Sequence, residues 1–462
     1  MINLAKQLPL LNPEIILGKT VEGEAAICTD SRQYRTGEIF WGLVGENFDG
    51  FQYVEKVISQ GACILVFQST PSNLKLAQKL SIQFPTLQFI GFNDSLKALQ
   101  KLSQLHRSNW YQTNKHIIGI TGSNGKTTTK EMLFFLLDGI FPQKVSMTKG
   151  NLNNHIGVPL TLCALKKEQE IAVVEMGTSG FNEISFLCDL AMPTSGIITN
   201  IGSGHIEFFK TQEMILKEKS ALMDAVLKTN EKGFFILNEN DKFLRTLINP
   251  IHSKKCIFSS KLCSIKEESF SLKFDNEEVI IENKGIYGLH LQTNLALCLF
   301  LCLNLFPDKK NKLFELARMV VLPKNNRAEW HLDNTPKYFL DAYNANPHSM
   351  KASLETFISR MQQQKIDPSK CCFILGDMNE LGDLAPTYHR EIGEFIGSQT
   401  IGKILFVGRY REYYLEGCPS AQSFASKTEL ASWLETHVKE YESFFIKGSR
   451  SLQLESIVAH FS

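Results

Sequence analysis

The stretch that decides the fold is HIIGITGSNGKTTTKE, residues 116–131. An apolar run typical of a β-strand is followed by a glycine-containing loop, and a lysine and three threonines then open a helix. A strand that gives way to a helix through such a loop directs backbone N–H groups and the helix N-terminus at one point, which suits a polyphosphate. We therefore predict a nucleotide site here, with ATP or GTP as the ligand.

The side chains of this loop agree with that prediction. Lys126 would place a positive charge beside the β- and γ-phosphates, and the Thr127 hydroxyl would reach Mg²⁺. The glycines at 119, 122 and 125 give a Gly-x-x-Gly-Lys-Thr spacing. The usual phosphate-binding loop needs a glycine at the position of Ile120, so the sequence predicts a tighter variant of that loop.

Composition excludes several classes of protein. The 462 residues are enough for about three domains, and 49 Lys plus Arg nearly balance 48 Asp plus Glu, unlike a nucleic-acid binder. The amino terminus lacks the signal-peptide pattern, and the most apolar helix, 295–306, is shorter than the ~20 residues of a membrane span. The 11 cysteines are scattered, which indicates free thiols. We expect a soluble cytoplasmic protein without a membrane span or a nucleic-acid partner.

Alternating strand and helix patterns predict an α/β protein of three domains. Residues 1–105 contain short β-rich runs and helical stretches, which indicates a small α/β domain. Residues 106–320 alternate the strands 116–121, 171–176, 195–200 and 234–238 with helices, which predicts a central P-loop-type, mostly parallel sheet with helices on both faces. Residues 321–462 repeat this alternation, which predicts a Rossmann-like domain after a linker at 323–327.

Ligands of open α/β sheets lie beyond the carboxyl ends of the strands, so the residues there are candidates for chemistry. Glu175 ends the run IAVVE, where an acid either holds Mg²⁺ or caps the surface. His205 follows another strand in a glycine-bearing loop, as a metal or phosphate contact or as a structural residue. Lys217 and Lys219 point about 200° apart on the next helix, so at most one faces the site.

Amide-rich and charged sets follow other predicted elements. The segment NLNN at 151–154 favours a turn, although amide pairs also bind sugar or peptide groups. In the third domain the sets at 341–347, 376–378 and 447–450 should converge on one sheet edge and, with Arg327, close over the nucleotide or bind a second substrate. These residues alone leave open whether phosphate passes to water, a hydroxyl or a carboxylate.

A resemblance to a known family narrows this choice. The segments GITGSNGKTTTKEM, NLNNHIGVPLT, EMGTSG, TNIGSGHIEFF, GLHLQTNLAL, DAYNANPHSM, LGDMNELG and FIKGSRSLQLE resemble, in order, those of the Mur ligases of peptidoglycan synthesis. TDSR at 29–32 and GEIFWGLVGENFDG at 37–50 are similar to the amino-terminal domain of the members that add D-alanyl-D-alanine. The resemblance implies a monomeric, ATP-dependent amide ligase that joins D-Ala-D-Ala to UDP-MurNAc-tripeptide through an acyl phosphate.

The resemblance also implies roles for individual residues. The predicted ATP contacts are Gly122, Ser123, Asn124, Gly125, Lys126, Thr127 and Thr128 for the phosphates, Asn294 for adenine, and Arg327 and Asp341 for phosphate and ribose. Two Mg²⁺ ions are implied, with Thr127 and Glu175 at one, His205 near the second, and Lys219 as a carbamylated, carboxylate-like metal ligand. The catalytic set is then Lys126, Glu175, His205 and Lys219. The predicted substrate contacts are Ser31, Arg32 and Asp49 for the UDP-sugar, and Asn153, Asn154, Tyr343, Asn344, Asn346, Lys447, Ser449 and Arg450 for the peptides.

The sequence departs from the family pattern at three positions. Phe51 replaces a usual histidine, His155 replaces an acid, and Asn326 replaces the glycine before the hinge arginine, which restricts the backbone there. One alternative is another amide ligase such as MurE or folylpolyglutamate synthase, although this chain has DAYNAN where MurE has a DYAH-type motif. The other alternative is a nucleotide switch or ATPase that forms no bond.

Overall fold

The computed structural model describes residues 2–112, 114–229, 234–247, 256–258, 262–265, 268–274 and 277–461. It confirms the α/β class, because the larger sheets consist mainly of parallel strands connected by helices. The residues of the 116–131 stretch form the predicted strand, loop and helix.

The amino-terminal region forms a five-stranded sheet. Its elements are β1 Ile2–Asn3, α1 Leu4–Gln7, β2 Ile15–Gly18, β3 Glu24–Ala25, β4 Ile27–Cys28, β5 Ile39–Trp41, β6 Val44–Gly45, β7 Phe48–Asp49, α2 Val54–Ser59, β8 Ile64–Gln68, α3 Pro71–Gln83, β9 Gln88–Phe92 and α4 Ser95–Trp110. The sheet order is β2-β9-β8-β5-β4, with only β2 antiparallel to its neighbour. Successive residues point to opposite faces, so Trp41 and Phe40 enter different apolar clusters and both faces are covered.

The central region contains the predicted, mostly parallel sheet. Its elements are β10 His116–Thr121, α5 Lys126–Ile140, β11 Val145–Met147, α6 Gly157–Cys163, β12 Ile171–Glu175, α7 Glu183–Ala191, β13 Ser195–Ile198, α8 Ile206–Phe209, α9 Gln212–Thr229, β14 Phe235–Leu237, β15 Cys256–Phe258, β16 Leu262–Ile265, β17 Ser269–Phe274, β18 Glu277–Glu282, α10 Leu289–Leu305 and α11 Lys310–Met319. The sheet order is β11-β12-β10-β13-β14-β15, and β10, β11 and β12 pair in parallel. The four predicted strands are confirmed, although β13 ends two residues early because Thr199 and Asn200 turn to other partners.

A small antiparallel sheet, β16-β17-β18, was not predicted. β17, with the sequence SFSLKF, alternates polar and apolar residues, whereas charge is concentrated at the ends of β18. Phe270 and Leu272 are buried, while Glu277 and Glu278 are exposed. Separately, α10 is buried along most of its length, which explains its apolar composition. Among the described residues no single helix is long and apolar enough to cross a membrane, and only the pair Leu289–Leu305 and Pro307–Met319, bent by 119°, meets that test jointly.

The carboxy-terminal region repeats the parallel pattern. Its elements are β19 Glu329–His331, β20 Lys337–Asp341, α12 Pro347–Gln363, β21 Cys371–Gly376, α13 Ala385–Gly397, β22 Lys403–Val407, α14 Arg411–Gly417, β23 Gln422–Phe424, α15 Lys427–His437 and β24 Ser443–Lys447. The order is β19-β20-β24-β21-β22-β23, with β19 antiparallel and the other pairs parallel. One face packs as an apolar cluster, and on the other Phe339, Phe373 and Phe445 meet Phe357 of α12.

The predicted division into three domains stays a prediction, and α4 bears on its first boundary. The helix runs from Ser95 to Trp110, across the predicted boundary between residues 105 and 106. The nine cysteines whose side chains are described are all free, in agreement with the prediction of thiols.

Candidate active site

The loop between β10 and α5 requires its glycines. Gly122 has a φ of +148° and Gly125 a φ of +79°, in the region that only glycine enters readily. A Cβ on Gly122 would lie 1.9 Å from Thr199 Oγ1, and a Cβ on Gly125 would lie 2.7 Å from Asn294 Nδ2. The closely spaced glycines therefore allow neighbouring side chains to pack tightly against the loop. One of these neighbours is Asn294, the predicted adenine contact.

Two residues after β13 hold the loop in shape. The Thr199 hydroxyl and the Asn200 side-chain amide both donate to the Asn124 carbonyl, at 2.6 and 3.0 Å. In return the Asn124 backbone N–H donates to Asn200 Oδ1 at 3.0 Å, and the Ser123 N–H donates to the Asn200 carbonyl at 2.9 Å. Sequence reasoning missed Thr199 and Asn200 as loop supports, although their place at the end of a strand was the available signal.

Lys126 lies over the loop that precedes it. Its Nζ donates to the Gly122 carbonyl at 2.7 Å and to the Ser123 carbonyl at 3.4 Å. Thr127, the predicted Mg²⁺ contact, is buried in the first turn of α5, and Thr128 beside it is partly buried. The ammonium group and the start of the helix therefore share one concave backbone, as a polyphosphate site requires.

The lysine pair on α9 separates as helical geometry predicted. Lys217 is exposed, whereas Lys219 keeps only 1% of its surface. Burial lowers the pKa of Lys219 well below its ordinary value, and the charge of Lys126 lowers it further while Glu218 opposes both effects. A lowered pKa increases the share of the neutral amine, which is the form that reacts as a nucleophile.

His205 lies next to an acid that the sequence reasoning did not select. Its Nδ1 is 2.7 Å from Glu380 Oε2, in the segment between β21 and α13. The pKa of the Glu380 carboxyl is lowered, mainly by the nearby His205. The structure therefore brings the predicted metal or phosphate contact together with the GDMNELG segment.

Asn346 joins α12 to the phosphate loop. Its Oδ1 accepts from the Ser349 N–H at 2.9 Å, while the Ser349 hydroxyl accepts from the Asn346 N–H at 3.1 Å, which forms a capping box. Its Nδ2 also donates to Asn124 Oδ1 at 2.6 Å. An amide predicted to contact the peptide substrate thus contacts a predicted phosphate-binding residue.

The buried Lys447 and the partly buried Asp341 form an ion pair at the ends of β20 and β24. Lys447 Nζ contacts Asp341 Oδ2 and donates to the Asn344 carbonyl at 3.1 Å. The Ser353 hydroxyl donates to Asp341 Oδ2 at 2.9 Å, and the Ala328 N–H donates to Asp341 Oδ1 at 3.2 Å. The predicted ribose contact and the predicted peptide contacts therefore meet, as convergence at the sheet edge required.

Tyr343 lies near two arginines. The Arg327 guanidinium is 3.6 Å from the ring centroid of Tyr343, and that of Arg450 is 6.0 Å away. Arg450 is also paired with Glu455. Ser449 anchors the neighbouring segment, because its hydroxyl accepts from the Asn379 N–H at 2.9 Å. The positive charges predicted for phosphate and peptide binding thus lie near one aromatic ring, at cation–π distance in the case of Arg327.

Glu175 lies at the carboxyl end of β12, as predicted, and is 1% exposed. Its Oε1 accepts from Asn153 Nδ2 at 2.7 Å, and its backbone N–H donates to Thr148 Oγ1 at 3.0 Å. Asn154 Oδ1 accepts from the N–H groups of Ile156 and Gly157. The paired asparagines therefore have structural partners: one orients the acid, and the other supports the start of α6.

The structure also shows the surroundings of the predicted UDP-sugar contacts in the amino-terminal region. Ser31 is buried, while Arg32 is exposed and paired with Asp30 at 2.8 Å, which lowers the pKa of Asp30 to about 2. The two Asp49 oxygens accept from the Phe51 N–H and from Asn73 Nδ2, both at 2.9 Å. Phe51 is fully buried and stacks on Phe67 with ring centroids 4.7 Å apart. The replacement of the usual histidine by Phe51 therefore falls in the core of this region.

Comparisons with known proteins agree with this geometry. Sequence profiles of the Mur ligase middle domain and of the Mur ligase glutamate ligase domain match residues 120–302 and 326–450. A Borreliella burgdorferi protein named UDP-N-acetylmuramoyl-tripeptide–D-alanyl-D-alanine ligase is 30% identical over 454 residues, 93% of this chain and 92% of that protein. The chain belongs to the Mur ligase family.

Other Mur ligases are similar over the same extent. A Bacillus subtilis protein of that same name is 29% identical over 450 residues, which cover 94% of this chain and 92% of the relative. A crystal structure of MurF from Acinetobacter baumannii has a TM-score of 0.82 and 25% identity, and covers 100% of this chain and 99% of that one. The fold of this Mur ligase therefore follows that of the relatives from end to end.

The predicted metal residues of this Mur ligase carry the oxygen donors that Mg²⁺ prefers. Among the residues that the structure describes, no three His, Cys, Asp or Glu side chains group into a metal cage. Thr127 and Glu175 offer hard oxygen donors from buried positions. Mg²⁺ takes one or two such ligands and completes its shell with water and phosphate oxygens, so a dedicated cage is not required.

Proposed function

We propose that this chain uses ATP to form an amide bond between the peptide carboxyl of UDP-MurNAc-tripeptide and the amino group of D-Ala-D-Ala. The observation that carries the proposal is the similarity to relatives of that name along 94% of the chain. The phosphate loop with Lys126, and the buried Lys219 beside that charge, support the use of ATP. The product is the UDP-MurNAc-pentapeptide precursor of peptidoglycan.

The chemistry needs a loop that holds ATP close to a carboxylate. A carboxylate oxygen attacks the γ-phosphorus, the bond to ADP breaks, and an acyl phosphate forms. The amine of D-Ala-D-Ala then attacks the acyl carbon, phosphate leaves, and the amine loses a proton. Lys126 and the loop N–H groups offset the repulsion between carboxylate and phosphate. Thr127 and Glu175 would hold Mg²⁺, which would supply further charge compensation for the phosphate groups.

The proposal includes a modified lysine and two Mg²⁺ ions. The neutral Lys219 amine would add to CO₂ and release a proton, which leaves a carbamate on Nζ. This exchanges a buried cation for an anionic oxygen ligand, and the lowered pKa of Lys219 supports it. His205 would lie near the second ion.

The remaining site residues are assigned by the same proposal. Ser31, Arg32 and Asp49 contact the UDP-sugar part of the substrate. The residues near Tyr343 and Lys447 bind the peptides. Asn294 contacts adenine, and Arg327 and Asp341 contact phosphate and ribose. A monomeric state, a cytoplasmic location and the three-domain division at residues 105 and 320 also belong to this proposal.

The test is product formation by the purified full-length chain. The protein is supplied with ATP, Mg²⁺, D-Ala-D-Ala and UDP-MurNAc-tripeptide that carries either diaminopimelate or lysine, and the pentapeptide and released phosphate are quantified. We expect one pentapeptide for each phosphate, with one tripeptide form preferred. Lys126→Ala should abolish both signals, and the exposed Lys217→Ala provides the matched control.

Two results would contradict the proposal. Phosphate release that does not depend on D-Ala-D-Ala, without amide product, would indicate an ATPase or nucleotide switch. Amide formation with a different acceptor, such as an amino acid in place of D-Ala-D-Ala, would indicate another amide ligase of the superfamily.

A further inference from the structure

Arg360 of α12 is buried between two aromatic rings although it carries a charge. Its guanidinium carbon lies 4.3 Å from the ring centroid of Tyr287 and 4.4 Å from that of Trp330. The residue keeps only 6% of its surface, and its Nη2 is 3.8 Å from Oε1 of the half-exposed Glu268. Arginine stays charged in proteins, so the two rings compensate for water that the guanidinium loses.

This Arg360 sandwich, formed by Arg360, Tyr287 and Trp330, joins segments that are far apart in the sequence. Tyr287 directly precedes Gly288, the N-cap of α10. Trp330 lies in β19, and Arg360 lies near the end of α12. The Trp330 ring meets Tyr287 edge-on at 5.6 Å and stacks on Phe357 of α12 at 5.9 Å. Arg360 therefore fastens α12 to the start of α10.

Two more contacts lie along the same helix. A Cβ on Gly288, which has a φ of +91°, would lie 2.7 Å from Thr356 Cγ2, so α12 packs closely against the α10 cap. The rings of His290 and His348 meet edge-to-face with centroids 5.7 Å apart. From His348 to Arg360, α12 thus follows the start of α10 over about three turns.

At its other end α12 reaches the phosphate loop. Its N-cap Asn346 donates from Nδ2 to Asn124 Oδ1 at 2.6 Å. The helix on which the far end of α12 rests, α10, carries Asn294, which packs against Gly125 of the same loop. One helix of 17 residues therefore contacts both the loop and the element that carries the predicted adenine contact.

The position of Asn346 depends on how firmly the far end of α12 is held. Arg360 is 14 positions further along the helix, which corresponds to about 21 Å of its axis. A tilt of about 3° over that length moves the N-cap by about 1 Å. Such a shift takes the 2.6 Å contact between Asn346 and Asn124 beyond hydrogen-bond distance.

We propose that Arg360 is a positioning residue for nucleotide binding: it fixes α12 against the start of α10 and so holds Asn346 at the phosphate loop. This inference rests on the proposed function, because it assumes that ATP binds at this loop. It extends that function by assigning part of the ATP affinity to a cation that lies about 20 Å along α12 from the loop.

The test uses the purified full-length protein and measures nucleotide affinity separately from turnover. Arg360→Met keeps the apolar stem and removes the planar cation, whereas Arg360→Lys keeps only the charge. The matched control is Gln362→Met, at an exposed position of the same helix. Calorimetric titration with Mg²⁺ and a non-hydrolysable ATP analogue gives Kd, steady-state kinetics gives KM and kcat, and thermal unfolding gives stability.

Arg360→Met should raise the Kd of the ATP analogue and the KM for ATP by about tenfold, while kcat at saturating ATP stays within about threefold. Arg360→Lys should recover part of this affinity, since an ammonium group is attracted to both rings but does not stack on them. The KM for D-Ala-D-Ala should not change in either variant. Gln362→Met should match the wild type in every measurement.

A double variant shows whether Arg360 acts through Asn346. Asn346→Ser already removes the hydrogen bond to Asn124, so adding Arg360→Met to it should weaken nucleotide binding by no more than about twofold. Effects that multiply would show that the two residues act independently, and they would overturn the inference.

Two other results would overturn it as well. An unchanged Kd in Arg360→Met, with a lowered thermal midpoint, would show a purely structural role. A loss of kcat with intact nucleotide affinity would place the effect elsewhere in the reaction. If Arg360→Met does not fold, Arg360→Lys and Trp330→Leu, which removes one ring of the Arg360 sandwich, provide the same comparison.

The failure of this inference can be distinguished from the failure of the proposed function. Nucleotide affinity is measured without either peptide substrate, and wild-type pentapeptide formation is established first. A wild type that forms pentapeptide, together with variants of normal ATP affinity, would contradict the role of Arg360 and leave the ligase activity intact.

Discussion

Lys217 and Lys219 are two positions apart on α9, yet their environments differ completely. Helical geometry predicts that their side chains point in different directions. In the structure Lys217 is exposed and Lys219 is buried. Burial removes water from the ammonium group, and the nearby Lys126 repels it, so the pKa of Lys219 falls. The residue type was evident from the sequence, but its reactivity depends on this environment.

Lys219→Ala should lower the ligase rate by at least about 100-fold, because it removes the proposed carbamate ligand. Acetate or another small carboxylate should restore part of the rate by occupying the vacated space. Lys217→Ala should stay within about twofold of the wild type. Initial rates of pentapeptide formation, with and without acetate, check this, and equal losses at the two lysines would contradict it.

Other predicted contacts have local partners at the residue scale. Asn153 binds Glu175, Asn154 supports α6, and Asp49 accepts from Phe51 and Asn73. A motif read from sequence does not distinguish a ligand contact from a hydrogen bond within the protein. Their contacts with substrate stay predictions, and the hydrogen bonds explain why these residue types occur here.

At the scale of elements, the start of α12 combines two tasks. Asn346 caps the helix through Ser349 and reaches the phosphate loop through Asn124. The cap follows from local sequence, since Asn before Pro and a hydroxyl three positions later is a common helix start. The contact with the loop is non-local, because the partners are 222 positions apart.

Asn346→Ser separates the two tasks. Serine retains a capping oxygen, so the thermal midpoint should stay near that of the wild type, whereas Asn346→Ala should cost about 1 kcal/mol of stability. Both variants lose the hydrogen bond from the Asn346 side chain to Asn124, so both should raise KM for ATP. Calorimetry and steady-state kinetics provide the two measurements. A normal KM in the serine variant would show that the amide pair has no role in nucleotide binding.

The segment before β19 carries backbone strain. Asn326 has a φ of 62° and Ala328 a φ of 49°. Asparagine tolerates the left-handed region better than most residues, so it substitutes there for the glycine typical of the family. Ala328 has no such tolerance, since its Cβ approaches the following carbonyl.

Ala328→Gly should therefore stabilise the protein by about 0.5–1 kcal/mol through the removal of that strain. The control is Ala352→Gly within α12, which should destabilise by about 1 kcal/mol because glycine is a poor helix former. Thermal unfolding followed by calorimetry measures both. A lower midpoint in Ala328→Gly would contradict the strain argument.

At the scale of the whole molecule, buried histidines make stability depend on pH. Burial lowers the pKa of His106, His116 and His389, which lie in different parts of the chain. Above the ordinary pKa of about 6.5 the folded and unfolded forms are both neutral. Below it the unfolded chain takes up protons that the folded chain excludes, so stability should fall as the pH drops.

His389 allows a specific test. It is fully buried, its Nε2 accepts from the Met378 N–H at 3.0 Å, and its ring stacks on Tyr410. His389→Phe leaves that N–H without its acceptor, which should cost about 1–3 kcal/mol at pH 7.5. Because the variant cannot be protonated there, its deficit should narrow as the pH falls from 7 toward 5. Thermal midpoints across this range measure the effect, and a constant deficit would contradict it.

The sequence predicted most of the fold because the relevant signals are local. Apolar runs bounded by glycine marked β10 and β12, and the threonine block marked the start of α5. The β16–β18 sheet was missed because its strands are defined by pairing with each other, although the alternation of β17 was an available signal. The early end of β13 was missed because Thr199 leaves the strand for a loop carbonyl, a tertiary contact.

The sequence by itself determined the tight glycine spacing of the phosphate loop, the strands predicted for the central parallel sheet, and the motifs that mark a Mur ligase. These features depend on backbone conformation and periodicity within short segments. Only the tertiary structure decided that Lys219 is buried, that Asn346 contacts the loop, and that Glu380 meets His205. Burial and hydrogen bonding between distant segments depend on chain packing, which no local spacing encodes.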